Sequence, residues 1–202
     1  MQKKLKIAVV SDVLGTENNG TTIAAMNFIR SLIAKGHDIT IVCPDQDKKY
    51  TPGYVVMPTL NFGIFNRYVA KNGVVIARVD RAKLEDALKD QDVIHSMLCF
   101  SLGKATARIA TKYGIPLTAG FHTQAENITG HLKMMNNKVA NRITYKVLNN
   151  RLYKHADGIH YPTAFSRDTF EKVVGKTPAF VISNGVNKRF EHLPTLAESN
   201  YL

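Results

Sequence analysis

Hydrophobic positions along the chain alternate between short apolar runs and longer segments with a helical period. The short runs are bounded by polar or turn-forming residues and predict eight β-strands: Leu5–Val10, Asp38–Cys43, Tyr54–Met57, Val74–Ala77, Asp92–Ser96, Pro116–Gly120, Gly158–Tyr161 and Ala179–Ile182. The longer segments predict five helices: Thr21–Lys35, Arg81–Lys89, Phe100–Tyr113, about Asn137–His155 and Ala164–Val174. Because strands and helices of these lengths alternate, we expect a three-layer α/β/α domain with a mostly parallel sheet covered on both faces.

Some boundaries of these elements carry signals of their own. Asp80 is placed to cap the second helix at its N-terminus. Gly114 ends the third helix, and Pro116 prevents its continuation. The periodicity fades towards the C-terminus, so we expect one folded unit over residues 1–185 and a linker over residues 186–202.

The composition fits a globular protein with a substantial core. Of the 202 residues, 45% are hydrophobic and 21% are charged, which allows one large domain or two small ones. No apolar run approaches the roughly 18 residues of a membrane span, and the apolar run near the N-terminus is too short for a signal peptide. Cys43 and Cys99 form no metal-ligand or redox motif, so we expect reduced thiols and a cytoplasmic protein.

The net charge of +11 is the unusual feature of the composition. It indicates an anionic partner, which could be a nucleotide phosphate, an anionic lipid or a nucleic acid. A basic surface without any partner is the alternative.

The segment around His122 is the strongest candidate for chemistry. His122 lies two residues beyond the predicted strand Pro116–Gly120, and Glu126 follows four residues later. Ligands of open α/β sheets bind just outside the carboxyl ends of the strands, and a titratable histidine near a carboxylate suits proton transfer or charge stabilisation there. A loop histidine bonded to the backbone is the alternative. The seven histidines show no paired spacing typical of a metal site, so we expect no metal.

A glycine-bearing turn joins the first strand to the first helix. The spacing from Gly15 to Thr22 imitates a P-loop, but Thr21 stands where the P-loop lysine would be. The dinucleotide-binding pattern G-x-G-x-x-G is also absent, so we expect no dinucleotide cofactor. Backbone groups of Asn19, Gly20 and Thr21 could still meet a phosphate. A tight turn in which Gly20 starts the helix is an equal alternative.

The fourth predicted helix is strongly basic. No acidic residue lies between Glu126 and Asp157, and Lys138, Arg142 and Lys146 recur every fourth residue, so they share one helical stripe. Such a helix can lie on an anionic membrane, or it can pack into the core with its basic face in solvent. We expect no nucleic acid, because no aromatic stacking pattern accompanies the charge. A neighbouring stripe is apolar: Leu132, Met135, Val139, Ile143 and Val147.

Taken in order, several segments resemble the N-terminal half of retaining glycosyltransferases of the GT-B fold, family 4, and most of all bacterial enzymes that glucosylate diacylglycerol. The segments that carry the resemblance are Lys6–Asp12, Asn19–Thr22, Lys35–Pro44, Asp92–His95, Phe100–Gly103, Gly114–Pro116, Phe121–Thr123, Ala156–Gly158 and Ile182–Val186.

The resemblance implies one half of a two-domain enzyme. In this family, two Rossmann-like domains face each other across a cleft. The N-terminal domain binds the acceptor, and the C-terminal domain holds most of a nucleotide-sugar donor such as UDP-glucose. We therefore expect residues 1–185 to be the acceptor-side domain, leading into a donor-binding domain beyond residue 202. Alone, the chain should turn over little substrate. The family uses no cofactor and no obligatory metal.

The resemblance also implies roles for particular residues. His122 would lie at the reaction centre near the transferred sugar, with Glu126 as a second catalytic candidate or as a carboxylate at a helix start. Asn19, Gly20 and Thr21 would stabilise the departing phosphates, whereas His95 would pack at the end of its strand. The acceptor could be a membrane lipid such as diacylglycerol, with Lys138, Arg142 and Lys146 facing the membrane. The alternative function is a non-catalytic α/β module that binds an anionic surface or partner.

Overall fold

The computed structural model describes residues 3–14, 20–61, 63 and 76–185. Within these residues, seven parallel strands form one sheet in the order β3-β2-β1-β4-β5-β6-β7. The strands are β1 Lys6–Val10, β2 Asp38–Cys43, β3 Tyr54–Val56, β4 Val93–Ser96, β5 Leu117–Gly120, β6 Gly158–Tyr161 and β7 Ala179–Val181. The helices are α1 Gly20–Ala34, α2 Arg81–Leu88, α3 Ser101–Tyr113, α4 Ala125–Gly130, α5 Lys138–Arg151 and α6 Ala164–Val174. The predicted α/β fold with a Rossmann-like parallel sheet is confirmed.

The elements match the sequence pattern with small shifts at their ends. The exception is the predicted strand Val74–Ala77. Its first two residues lie outside the described part, and Ala77 forms only an isolated antiparallel bridge with Thr59. The predicted helix Asn137–His155 is divided, because α5 ends at Arg151 and a 3-10 turn follows at Tyr153–His155. The short helix α4 was not predicted, and residues 186–202 lie outside the described part, so the linker stays a prediction.

Local signals explain where several helices begin and end. The Asp80 carboxylate accepts a hydrogen bond from the Lys83 N–H at 3.1 Å and caps α2. Asn137 caps α5 by accepting from two backbone N–H groups at 3.0 Å. Gly114 ends α3 in the left-handed conformation, with φ of 65°. These caps define where three of the helices begin or end.

The two faces of the sheet are covered unequally. One face packs against α2, α3, α5 and α6 in a large core that includes Leu84, Leu102, Tyr145 and Phe170. On the other face, α1 covers β1 and β2 through residues such as Ile29. Among the described helices, no other packs on that side, so the expected double coverage holds for only part of the sheet. Within the described residues, the part without a helix over it, β5 to β7, borders the candidate site.

No helix among the described residues has the length and apolar character needed to cross a bilayer.

Candidate functional site

An open cleft of about 790 Å³ lies at the carboxyl ends of the strands. It is bordered by the start of α1, the turn after β4, the segment after β5 and the turn after β6. Gly20, Thr21 and His122 all line it, so the structure brings two of the predicted segments to one site. Asn19 lies outside the described residues. This edge of an open α/β sheet is where ligands bind.

The His122 ring folds back over the end of β5. A Cβ atom built on Gly120 would lie 2.5 Å from the His122 Nε2, so only glycine leaves room for the ring in this position. The His122 Nε2 is buried and has no hydrogen-bond partner within the described part of the chain. An unpaired buried nitrogen is costly, which makes it a candidate to bind a ligand hydroxyl.

His122 is neutral at physiological pH. Burial, and to a lesser degree the nearby His160 ring, lowers the pKa of His122 to about 4. A neutral imidazole offers one N–H donor and one acceptor nitrogen. His122 is therefore suited to hydrogen-bonding a sugar or acceptor hydroxyl, and it is not suited to acting as a permanent cation.

A second cavity, of about 450 Å³, lies on the other side of His122, against the uncovered part of the sheet. His122 and Asn184 border both cavities. The centroids of the His122 and His160 rings are 5.5 Å apart, and the His160 Nε2 is 2.6 Å from the carbonyl oxygen of Ile182. His160 thus links the candidate catalytic ring to the segment that follows β7. Sequence reasoning missed His160, because its relation to His122 depends on the pairing of β5 with β6.

His95 packs as expected near the end of its strand. It is buried in β4, with its ring centroid 4.6 Å from that of Phe28. Its Nδ1 lies 2.8 Å from the Thr118 hydroxyl, and burial lowers the pKa of His95 to about 3. Although His95, His122 and His160 are neighbours, no group of three metal-binding side chains among the described residues is arranged to hold an ion.

Asp12 holds the turn that forms one wall of the cleft. Its buried carboxylate accepts hydrogen bonds from the N–H groups of Leu102 at 2.7 Å and Gly103 at 3.2 Å, and further bonds from Phe100 and Ser101. Burial raises the pKa of Asp12, while these bonds oppose the rise. Asp12 thus caps α3 from 90 residues away. An aspartate two residues after a buried strand was the available signal.

The start of α1 offers backbone donors to the cleft. The first helical turn contains no acidic residue, and a Cβ atom built on Gly20 would meet nothing within 4 Å. The N–H groups of a first helical turn have no partners within the helix, and the helix dipole favours an anion near them. The arrangement is compatible with the predicted phosphate contact.

Glu126 lies in the first turn of α4 and contacts α5. Its carboxylate accepts a hydrogen bond from the Tyr145 hydroxyl at 2.5 Å. Burial and this bond raise the pKa of Tyr145 well above its ordinary value. Asn127, Ile128 and His131 of the same stretch line the cleft, but Glu126 does not. The contact favours a positioning role for Glu126, and a catalytic role stays a prediction.

The apolar stripe next to the basic residues faces outwards, with Leu132 and Met135 in the turn before α5 and the other three residues on α5 itself. Lys138, Arg142 and Lys146 are exposed. The interpretation of a core-packed helix with its basic face in solvent is confirmed, because α5 packs through Asn141, Tyr145 and Leu148. The apolar stripe is not the face that packs. We call the apolar stripe the outer ridge; its side chains are 40–69% exposed: Leu132, Met135, Val139, Ile143 and Val147.

Comparison with known proteins identifies the family. The model of Glycosyltransferase Family 4 matches residues 18–190, which is most of the chain, so the chain belongs to this family. None of the curated protein sequences matches it.

Solved structures support the fold. A UDP-N-acetylglucosamine 2-epimerase aligns with a TM-score of 0.50 and 17% identity over 89% of this chain and 48% of its own. The UDP-GlcNAc 2-epimerase from Methanocaldococcus jannaschii aligns with a TM-score of 0.45 and 13% identity, over 88% and 45%. An alpha-glucosyltransferase in complex with UDP and a DNA containing an HMU base aligns with a TM-score of 0.45 and 15% identity, over 90% of this chain and 42% of its own. The chain therefore spans less than half the length of these structures.

Proposed function

We propose that this chain supplies the acceptor-binding half of a retaining glycosyltransferase, which transfers a sugar from a nucleotide-sugar donor such as UDP-glucose to an acceptor hydroxyl. The observation that carries the proposal is the cleft itself, in a member of Glycosyltransferase Family 4. The neutral His122 ring and the start of α1 border one cavity at the carboxyl edge of the sheet. A donor-binding domain, with most of the donor contacts, would close this cleft from the other side.

In this scheme, the residues of this chain stabilise charge and fix geometry. The bond between the sugar C1 and the diphosphate oxygen breaks through an oxocarbenium-like state. The acceptor oxygen then bonds to C1 on the same face, and its proton leaves with the nucleoside diphosphate. Backbone N–H groups of Asn19, Gly20 and Thr21 would stabilise the departing phosphates. His122 would hold the sugar by hydrogen bonds through its free Nε2 and form no covalent bond with it.

The reaction class has a direct test. A form of the protein that carries the donor-binding domain is incubated with UDP-glucose and candidate acceptors, and the product is examined by nuclear magnetic resonance. The proposal expects a glycoside with the anomeric configuration of the donor. A product with the opposite configuration would contradict the retaining mechanism, and epimerised UDP-sugar without transfer would contradict the transferase assignment.

We further propose that the acceptor is a membrane lipid, such as diacylglycerol, and that the protein associates with the cytoplasmic face of a membrane. Support comes from the outer ridge, whose apolar side chains lie beside the exposed cations Lys138, Arg142 and Lys146. An amphipathic helix with this surface suits an anionic bilayer. The ridge begins at Leu132, directly after His131 of the cleft, so a lipid headgroup could enter the cleft while its chains stay in the membrane.

Membrane docking can be measured with one fluorophore, because the chain contains no tryptophan. Ile143→Trp places a single indole on the outer ridge, and Ile33→Trp places one on the exposed side of α1 as a control. With vesicles of phosphatidylcholine and phosphatidylglycerol, the emission of Ile143→Trp should shift to shorter wavelength and that of Ile33→Trp should not. Equal shifts in both variants, or none in either, would contradict docking through this ridge.

The alternative function is a non-catalytic module that binds an anionic surface. It would also use the outer ridge, but no sugar transfer would take place in the cleft. Reversing Lys138, Arg142 and Lys146 to Glu should abolish vesicle binding under either function. Only the transferase proposal predicts sugar transfer to a water-soluble acceptor, and that transfer should persist in the charge-reversed variant. Absence of any transfer by the two-domain protein, with vesicle binding intact, would favour the binding module.

A further inference from the structure

A second open groove, away from the cleft, lies between α2, α3 and the C-terminal end of α5. It encloses about 480 Å³ and shares no lining residue with the cleft. Its lining includes apolar side chains such as Leu84 and Ile109. A smaller cavity of about 330 Å³ shares part of the same lining. Five cationic side chains line the larger groove: Arg81, Lys104, Arg108, Lys112 and Arg151.

One carboxylate, that of Glu85, lines the groove with these cations, and it is already occupied. It accepts hydrogen bonds from the Lys112 ammonium at 2.6 Å and the Tyr113 hydroxyl at 2.5 Å. These bonds lower the pKa of Glu85 and keep it ionised, so its charge offsets that of Lys112. The other four cations form no ion pair with any residue in the described part of the chain.

Three of the cations form a regular row along α3. Lys104, Arg108 and Lys112 recur every fourth residue, so their Cα atoms lie on one face of the helix, with successive ones about 6 Å apart. Like charges at this spacing destabilise a helix. Because Glu85 offsets the charge of Lys112, the repulsion that a bound anion would relieve is that between Lys104 and Arg108.

We propose that this groove binds an anion carrying two or more phosphate groups, with its carbon skeleton on the apolar side chains. Arginine binds phosphate oxygens through two parallel N–H donors, and Arg108 borders both cavities. Cations spaced along the row and across it at Arg81 and Arg151 suit separate phosphate groups better than a single carboxylate. The phosphates belong either to a polyphosphorylated metabolite or to adjacent phospholipid headgroups.

The test compares charge reversals of equal size at different places. Binding of tripolyphosphate and of orthophosphate to the whole 202-residue chain is measured by calorimetry at low and at moderate salt. Wild type should bind tripolyphosphate more tightly than orthophosphate, with an affinity that falls as salt rises. Arg108→Glu should weaken tripolyphosphate binding at least about tenfold, and Arg108→Gln less. Lys172→Glu, an exposed change on α6, should alter the affinity less than about twofold.

Two results would overturn the proposal: no tripolyphosphate binding by wild type at low salt, or an equal loss in Arg108→Glu and Lys172→Glu. Vesicles of phosphatidylcholine and phosphatidylglycerol then distinguish the sources of phosphate. If Arg108→Glu weakens tripolyphosphate binding alone, the groove takes a soluble ligand. If it weakens vesicle binding as well, lipid headgroups occupy the groove. Thermal unfolding of each variant checks that the fold is intact.

Discussion

At the scale of single residues, Gly120 controls where the His122 ring can lie. Because a Cβ atom at position 120 would overlap the ring at 2.5 Å, Gly120→Ala should displace His122 and lower sugar transfer at least about tenfold. Gly130→Ala is the matched control, since its new Cβ would meet only ordinary contacts at 3.8 Å. Initial rates of the two-domain protein would measure both effects, and equal rates in the two variants would contradict the role given to Gly120.

The buried His95 and the half-buried His122 predict how stability depends on pH. In the folded chain the pKa of His122 is lowered to about 4 and that of His95 to about 3, whereas histidine in an unfolded chain titrates near 6.5. Below pH 6.5 the unfolded chain therefore binds more protons, so the free energy of unfolding is highest above 6.5 and decreases as pH falls towards 4.

Replacing His122 tests this pH dependence. Each of these two histidines should contribute a slope of at most about 1.4 kcal/mol per pH unit between pH 6.5 and 4. His122→Gln should remove the contribution of His122 to the slope. His155→Gln, at an exposed position, should leave the slope nearly unchanged. Urea unfolding at several pH values would measure the slopes, and parallel curves for wild type and His122→Gln would show that the ring is not buried.

Residues differ in how far sequence alone can place them. His122 could be assigned to the rim of the sheet because the strand before it ends at a glycine. The roles of Asp12 and His160 could not be predicted, because their partners come from distant positions that only the strand order brings together. The lowered pKa of His122 likewise depends on burial by residues that lie far away in sequence.

At the scale of elements, α3 depends on a cap supplied by Asp12, in the segment that follows β1. Asp12→Asn puts an amide N–H₂ among backbone N–H donors and should lower the free energy of unfolding by about 1–3 kcal/mol. Asp80→Asn, at the exposed cap of α2, should change it by less than about 0.5 kcal/mol, because asparagine caps as well as aspartate. Chemical denaturation compares the two variants. Similar losses in the free energy of unfolding would mean that the Asp12 cap stabilises the fold no more than the Asp80 cap does.

The orientation of α5 was open at the sequence level, because both of its faces mix polar and apolar residues. The buried face satisfies its polar groups internally: Asn141 bonds Thr129 and the Met135 carbonyl, and Tyr145 bonds Glu126. Hydrophobic periodicity alone could not identify the buried face, because it cannot anticipate such pairings.

This orientation can be tested by stability. Tyr145→Phe leaves the Glu126 carboxylate without its donor and should cost about 1–3 kcal/mol. Ile143→Ser, on the outer ridge, should change the free energy of unfolding by less than about 0.5 kcal/mol. If Ile143→Ser proves the more destabilising, the helix packs with its apolar stripe inwards.

At the scale of the whole molecule, alternation of strands and helices was enough to predict a parallel α/β sheet. It could not show that none of the described helices covers β5 to β7 beside His122, because the position of each crossover helix on the sheet cannot be read from the alternation. The family match and the cleft are the two observations from which we propose a half-enzyme whose chemistry a second domain completes.

The most direct test of this account is the rate of sugar transfer by the two-domain protein after His122→Ala. The account predicts a loss of at least about tenfold, because the ring that holds the sugar is removed. His155→Ala, at an exposed histidine outside the cleft, should keep the wild-type rate. Wild-type turnover by His122→Ala would contradict the assignment of this cleft as the reaction centre.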